Sequence, residues 1–193
     1  MSLKSTGFFS HPDCRKHEMG AGHPECPERL AVIDDHLLYI GLSDVLAQYS
    51  APLAALSSLE LAHSHQHIAT LRGLGDLLMD EIDAGGPTHA QIDPDTSINV
   101  YTWQAALRAA GAAVAATDAV IGGEIANAFC SVRPPGHHAE TDKAMGFCFF
   151  NNVAIAAKYA LDRHRLKRVA IVDFDVHHGN GTEDIVGGDK RIL

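Results

Sequence analysis

The sequence predicts an α/β protein with one domain over residues 1–193, in which a parallel sheet lies between helices. The 193 residues are 46% hydrophobic, which is enough to bury one sizeable core. In the second half, short apolar runs alternate with helical patterns, as they do in right-handed βαβ units. Histidines and carboxylates lie in the segments that follow two of these runs, and open α/β sheets bind ligands beyond the carboxyl ends of their strands.

The first half begins with a predicted strand over residues 5–10, followed by a loop rich in His, Pro, Gly and Cys. From Pro27, the apolar spacing predicts an amphipathic helix that ends near Gly41. A second helical pattern covers residues 57–79, and two glycines predict an interruption within it. Three alternating histidines near its start are expected to serve as a cap and as solvated surface: His63, His65 and His67.

The second half begins with a predicted polar loop over residues 84–101, and loops of this length are often functional or disordered. An alanine-rich helix is predicted over residues 102–120, because alanine has the highest helix propensity. The remaining elements are predicted in this order: a buried strand over 127–132, a loop over 133–146, a helix over 147–164, a buried strand over 167–173 and a helix opening at 182–184.

Charge and composition exclude several classes of function. The formal net charge of -9 argues against direct nucleic-acid binding, which usually shows a basic footprint, and suits a cationic ligand. No apolar run is long enough for a membrane span, and no signal peptide is predicted. The four cysteines form no Cys-x-x-Cys pair, so free thiols in the reducing cytoplasm are expected.

Two polar clusters carry the candidate chemistry. The first is the loop RPPGHHAE over residues 133–140, which contains His137 and His138. The second is the run DFDVHHGN over residues 173–180. Neighbouring parallel strands would bring both clusters to the same edge of the sheet. The 13 histidines of the chain are many for its length, which also indicates a metal or acid–base site.

Within the second cluster, Asp175 and His177 are two residues apart, so on an extended segment their side chains point the same way. A carboxylate oxygen and an imidazole nitrogen suit Zn²⁺, but a catalytic zinc takes about three protein ligands and this motif offers two. Asp173 lies two residues before Asp175, so its side chain would point the same way. It can instead support a neighbouring residue or bind a monovalent cation. The expected partners for the histidine pair are Asp173 for His137 and Asn180 for His138. One of these imidazoles would then act as a general base toward water on the metal.

Four blocks of the sequence resemble the zinc-dependent histone deacetylase family, which includes acetylpolyamine amidohydrolases and acetoin-utilization proteins. The blocks are HPECPERL, RPPGHHAE, MGFCFFNNVAIAA and VAIVDFDVHHGNGTEDI. The resemblance covers residues 23–30 and roughly 95–186. The resemblance implies the three-layer arginase/deacetylase-type fold with a parallel sheet between helices. Asn180 stands where many class I members carry Asp, so the chain resembles the class II branch.

The resemblance also implies roles for individual residues. Asp175 and His177 would be two of three zinc ligands. His137 and His138 would be the catalytic pair, with His138 as general base and acid. The implied supporting residues are Asp173 and Asn180 for the histidines, Gly146 and Phe147 for the substrate tunnel, Asp95 for the substrate-binding rim, and Arg29 for an internal cavity. Zn²⁺ is the implied cofactor, with K⁺ near Asp173 and Asp175 as a further implication.

The predicted function is hydrolysis of the acetyl amide of acetyl-lysine. The alternatives are an acetylpolyamine or other small-molecule amidohydrolase, and an inactive fragment or binding module. An arginase-like dimanganese ureohydrolase is disfavoured, because it needs a bridging carboxylate two residues after the metal-binding histidine, where this chain has Gly179. The expected partner is an acetylated lysine or polyamine substrate, with no nucleic acid and no membrane.

The resemblance implies a further zinc-binding Asp and a transition-state Tyr, and neither has a matching context before Leu193. The chain is therefore expected to be the N-terminal part of a single deacetylase domain, with little activity on its own. An unpaired strand edge is expected to cause association into a homo-oligomer through the truncated sheet. A strictly monomeric sedimentation profile would contradict that expectation.

Overall fold

The computed structural model describes residues 5–193. Within these residues the strands are β1 (Thr6–Ser10), β2 (Ala47–Ser50), β3 (His89–Asp93), β4 (Thr96–Asn99) and β5 (Asn127–Cys130). The α-helices are α1 (Glu28–Tyr39), α2 (Leu56–Leu59), α3 (His65–Asp83), α4 (Thr102–Ile121), α5 (Asn152–Arg163) and α6 (Asn180–Val186). Single 3₁₀ turns cover Pro12–Arg15 and Leu42–Asp44.

The main sheet is parallel, as predicted, with β1 between β2 and β5. Phe8 of β1 lies opposite Gln48 of β2 and Phe129 of β5. Parallel neighbours need crossover connections, and helices supply them here. The loops that follow β1 and β5 therefore leave the sheet at the same edge.

Helix α4 packs against both β5 and α5 and forms the centre of the core. Its small side chains permit close approach, and Ala105, Ala109 and Ala110 are fully buried. At Gly111 a Cβ atom would lie 2.0 Å from the carbonyl oxygen of Pro52, so only glycine fits there. The predicted helix over residues 102–120 is thus confirmed, and its alanine content serves packing as well as propensity.

The polar loop predicted over residues 84–101 is wrong, because β3 and β4 form an antiparallel hairpin there. The turn is built by Asp93, whose Oδ1 accepts hydrogen bonds from the main-chain N–H of Asp95 at 3.0 Å and of Thr96 at 2.7 Å. Side chains of aspartate often replace main-chain acceptors in this way. The hairpin brings Asp95 to the rim of the site described below.

The interruption predicted within residues 57–79 occurs earlier than expected. Helix α3 continues through both glycines, and the break lies between α2 and α3. Ser64 is the N-cap residue of α3, since its hydroxyl accepts a hydrogen bond from the N–H of His67 at 3.2 Å. A single glycine costs a helix only about 1 kcal/mol, so packing along α3 outweighs it.

The buried strand predicted over residues 167–173 is also wrong. The segment is extended and pairs with the last residues of the chain, where Val169 N–H donates to Arg191 O at 2.9 Å. However, the described residues leave one of its faces uncovered, with Val172 82% and Phe174 96% exposed. Strand β5 is likewise only half-buried, since its Phe129 is 49% exposed.

One further element boundary differs from prediction. The helix predicted from residue 147 begins at Asn152, because a tight turn occupies Gly146 and Phe147. Asn151 caps it by accepting a hydrogen bond from Ala154 N–H at 3.1 Å.

Among the helices that the structure describes, none combines the length and the apolar character that a bilayer crossing requires.

Candidate active site

A cavity of about 340 Å³ opens at the edge of the sheet where the two polar clusters meet. Eight of the ten predicted site residues line it: Arg29, Asp95, His137, His138, Gly146, Phe147, Asp175 and His177. The other two, Asp173 and Asn180, do not line the cavity but contact the Nδ1 atoms of the histidine pair. Residues distant in sequence therefore converge on one concave surface.

The two histidines have different hydrogen-bond partners, and these are the two residues expected from the sequence. The Nδ1 atom of His137 lies 2.9 Å from Asp173 Oδ2, and the Nδ1 atom of His138 lies 2.6 Å from Asn180 Oδ1. The ring centroids of the pair are 4.0 Å apart. One imidazole is thus bound to an anion and the other to a neutral amide, while the Nε2 side of each ring is directed away from these partners.

Asp173 links the histidine pair to the second cluster. Its Oδ1 accepts a hydrogen bond from the N–H of Asp175 at 3.1 Å, and its Oδ2 accepts one from His137. Partial burial raises the pKa of Asp173, but these two hydrogen bonds outweigh it and hold the pKa below its usual value. The carboxylate is therefore anionic at neutral pH and holds His137 in place.

Asp175 and His177 form a contact pair at the cavity wall. Asp175 Oδ1 lies 3.0 Å from His177 Nδ1 and accepts the N–H of His177 at 2.8 Å. A tetrahedral zinc with bonds of 2.0–2.1 Å separates two ligand atoms by about 3.3 Å, so this oxygen–nitrogen pair suits the metal. Across residues 5–193, no group of three or more His, Cys, Asp and Glu side chains is placed to hold a metal. The described chain thus offers two ligands of the three that a catalytic zinc needs.

A tight turn shapes the cavity wall next to His138. Gly146 and Phe147 both have positive φ, 56° and 70°, and the turn is closed by hydrogen bonds between Met145 and Cys148. A Cβ atom at Gly146 would lie 2.5 Å from His138 Cδ2, so the imidazole occupies the space of the missing side chain. Phe147 is held against His23, with ring centroids 4.6 Å apart. This unusual backbone directs an aromatic ring into the cavity.

The remaining two predicted residues lie at the mouth of the cavity. Arg29 is 56% exposed, and its guanidinium lies 3.3 Å from Glu25 Oε1. The carbonyl oxygen of Asp95 lies 3.2 Å from His23 Nε2. Their expected roles in an internal cavity and in substrate binding stay predictions.

A buried ion pair beneath the cavity was missed from the sequence. Arg133 and Glu25 are each 2% exposed, and both guanidinium–carboxylate contacts measure 2.5 Å. Arg133 also donates to the carbonyl oxygens of Cys14 at 3.0 Å and His17 at 2.8 Å. The signal was present, since both charged residues lie inside the blocks HPECPERL and RPPGHHAE, but nothing local indicates that they meet.

The surface role expected for the alternating histidines is wrong for two of them. His63 and His67 are buried, and only His65 is exposed. His63 Nδ1 donates to Glu140 O at 2.9 Å, and its Nε2 accepts the N–H of Asn151 at 2.9 Å. This neutral imidazole therefore ties the loop after His138 to the start of α5.

These buried imidazoles predict acid sensitivity of the fold. Burial lowers the pKa of His63 from 6.5 to about 4, and burial together with the charge of Arg133 lowers that of His17 to about 3. Between pH 6.5 and 4 the unfolded chain binds more protons, so the stability present above about pH 6.5 is lost as pH falls. We expect a slope of up to about 1.4 kcal/mol per pH unit for each histidine in urea unfolding.

A matched pair of variants checks this slope. His63→Gln removes one titrating group from the core, so the difference in unfolding free energy between pH 7 and pH 5 should shrink. His65→Gln changes an exposed side chain two residues later, at the start of α3, and should leave that difference unaltered. An unchanged pH dependence in His63→Gln contradicts the assignment.

The parallel sheet between helices, with its cavity at one sheet edge, defines an α/β protein of the arginase/deacetylase fold class. A model of the histone deacetylase domain matches residues 23–193. The chain belongs to the histone deacetylase family.

Relatives of known sequence and structure agree. The chain is 42% identical to the "Histone deacetylase-like amidohydrolase" of Pseudomonas aeruginosa, over 86% of this chain and 41% of that protein. It is 41% identical to the mouse "Polyamine deacetylase HDAC10", over 88% of this chain and 25% of that protein. The crystal structure of the HDA15 HD domain superposes with a TM-score of 0.89 at 34% identity, covering 99% of this chain and 53% of that one. The chain thus spans between a quarter and about half of their lengths.

Proposed function

We propose that this chain carries the proton-transfer machinery and two metal ligands of a zinc-dependent deacetylase. The observation that supports this most strongly is the convergence in one cavity of a histidine pair, each member hydrogen-bonded to its own partner, and of an Asp–His contact pair. Hydrolysis of an amide needs a base for the attacking water and an acid for the leaving amine, and paired imidazoles supply both.

The proposed division of labour follows from the partners. Asn180 accepts the Nδ1 proton of His138, which leaves Nε2 of the neutral ring free to take a proton from water and return it to the leaving amine. The anionic Asp173 beside His137 stabilises positive charge on that ring. Phe147 and the Gly146 turn would form the walls against which an acyl-lysine arm packs.

Asp175 and His177 would hold the zinc, which would supply Lewis acidity toward the acyl carbonyl and water. The third ligand and a transition-state Tyr are proposed to come from outside these 193 residues. K⁺ near Asp173 and Asp175 belongs to the same proposal. In the full-length protein, metal analysis should find one zinc per molecule, and Asp175→Ala should lower that content while His178→Ala, at the exposed neighbour, should not. Absence of bound metal together with no hydrolysis of an acetyl-lysine peptide would contradict the proposal.

Acetyl-lysine is the proposed substrate, and acetylpolyamine is the second candidate. The latter is favoured by the identity to a polyamine deacetylase, while the net charge of -9 suits either substrate. A panel of acetyl-lysine peptides and acetylated polyamines, compared by kcat/KM, separates the two. The four free thiols are in keeping with a cytoplasmic site of action.

A dimanganese ureohydrolase is disfavoured on geometry as well as on composition. A Cβ atom at Gly179 would lie 2.7 Å from Asp173 Oδ2 and 3.4 Å from His137 Nδ1. A bridging carboxylate at this position would therefore displace the pair that orients His137.

The 193 residues alone are proposed to form the N-terminal part of one deacetylase domain, with little hydrolytic activity. We propose that it forms a homo-oligomer through the truncated sheet edge, and the exposed apolar side chains Val172, Phe174 and Val176 support this. Robust turnover by this chain alone, or a strictly monomeric sedimentation profile, would count against these two statements respectively.

A further inference from the structure

A third polar residue extends the hydrogen-bonded chain behind His138. Glu140 Oε1 lies 2.8 Å from Asn180 Nδ2, and Asn180 Oδ1 lies 2.6 Å from His138 Nδ1. The sulfur of Met145 lies 3.5 Å from the same amide nitrogen. A glutamate, an amide and an imidazole are thus connected in series.

The direction of each hydrogen bond in this series follows from the chemistry of its groups. An ionised carboxylate only accepts hydrogen bonds, so the amide nitrogen of Asn180 must face Glu140. The amide oxygen must then face His138, and an oxygen there can only accept. His138 consequently carries its proton on Nδ1 and presents the lone pair of Nε2 to the cavity.

We propose that Glu140 is a positioning residue, which sets the amide orientation of Asn180 and through it the Nδ1–H tautomer of His138. The catalytic meaning of this tautomer rests on the proposed function, but the tautomer itself does not. His137 needs no such third residue, because the Asp173 carboxylate accepts in either orientation. Asn180 alone could present its nitrogen or its oxygen to His138, and Glu140 removes that ambiguity.

The loop around Glu140 is built to keep its carboxylate in place. Its carbonyl oxygen accepts from the buried His63, and its N–H donates to Lys143 O at 2.9 Å. The neighbouring Ala139 O accepts from Asn151 Nδ2 at 3.2 Å. The main chain on both sides is therefore anchored independently of the side chain of Glu140, so changes to that side chain probe its hydrogen bond.

The series predicts that the effect of Glu140→Gln on activity depends on whether residue 180 is asparagine or aspartate. Asn180→Asp would place two carboxylates about 2.8 Å apart, and like charges at this distance repel. Adding Glu140→Gln supplies an amide that can donate to the new carboxylate, which can still accept from His138. Glu140→Gln should therefore not raise activity in the natural background, whereas it should restore activity in the Asn180→Asp background.

The test uses ¹⁵N NMR of the histidine rings in this chain, about two pH units above the ordinary pKa of histidine. The ring signals of His138 are assigned by their loss in His138→Gln. We expect the Nδ1–H tautomer in the natural protein and a mixture of tautomers in Glu140→Ala. The control is Glu183→Ala on α6, which removes an exposed carboxylate bound to His178 and does not touch Asn180.

Activity of the full-length protein provides the second readout. Glu140→Ala should lower kcat/KM about 10–100-fold, as for other residues that orient a site group. An Nδ1–H tautomer that persists unchanged in Glu140→Ala overturns the proposal, and so does a failure of Glu140→Gln to improve Asn180→Asp. If the protein is not a deacetylase, none of the variants will show hydrolytic activity. The NMR measurement of the His138 tautomer still decides whether Glu140 is a positioning residue.

Discussion

Replacing His138 with alanine is expected to lower the kcat/KM of amide hydrolysis by roughly 10²–10⁴-fold, the usual contribution of a positioned general base. The variant removes the imidazole whose Nε2 faces the cavity and whose Nδ1 is bound by Asn180. The measurement is steady-state hydrolysis of an acetyl-lysine peptide by the full-length protein. Most of the loss should fall in kcat, because the proton transfer occurs in the transition state.

The matched control is His178→Ala, one residue beyond the proposed zinc ligand His177. His178 is 72% exposed and contacts Glu183 at 2.8 Å on the far side of the segment. Exposed substitutions of this kind usually change free energies by less than about 0.5 kcal/mol, so kcat/KM should stay within about twofold. A His138→Ala variant that keeps activity within the same range would refute the proposed base.

Part of the site geometry could be predicted, because side chains two residues apart on an extended segment point to the same side. On an extended segment, Asp173, Asp175 and His177 share one face whatever covers the other. The contact of Asp173 with His137 follows once the two clusters meet at one end of the sheet, whereas the hydrogen bond from the main-chain N–H of Asp175 to Asp173 Oδ1 is a local turn contact that the sequence analysis did not predict. The parallel sheet could be predicted only in part, because β1 and β5 lie at predicted strands, whereas β2 was not predicted and the run over residues 167–173 is not a strand of that sheet.

Burial could not be predicted with the same success, because it depends on elements distant in sequence. The apolar residues of the Val169–Val172 run suggested a buried strand, yet the described residues place nothing over Val172. His63 resembles a surface residue in sequence, but it lies against Phe150 and bonds to Glu140 and Asn151, which are 77 and 88 positions away. Only the folded chain reveals such partners.

The Arg133–Glu25 pair is the extreme case of a long-range partner. The two residues are separated by 108 positions, and each is a type that rarely enters a core unless it is paired. Glu25 also contributes to the cavity wall, and Arg133 begins the loop that carries His137 and His138. The pair thus connects the N-terminal loop directly to the proposed catalytic residues.

Breaking this buried pair is expected to cause the largest loss of stability in the chain. Glu25→Leu leaves the guanidinium of Arg133 buried without a counter-charge, which typically costs about 3–5 kcal/mol. Folded domains have only about 5–15 kcal/mol in total, so the urea midpoint should fall sharply. Arg133→Met should be comparably costly, because it also leaves the carbonyl oxygens of Cys14 and His17 without their donors.

The double variant Glu25→Leu with Arg133→Met separates the ion pair from its surroundings. It removes both charges and replaces them with apolar groups, so its cost should be less than the sum of the single costs by up to about 3 kcal/mol. Arg29→Met is the control, because Arg29 contacts the same Glu25 from an exposed position and should cost less than about 1 kcal/mol. Single costs that add within about 0.5 kcal/mol would show that the two residues are not energetically coupled, which would contradict their role as the link beneath the cavity.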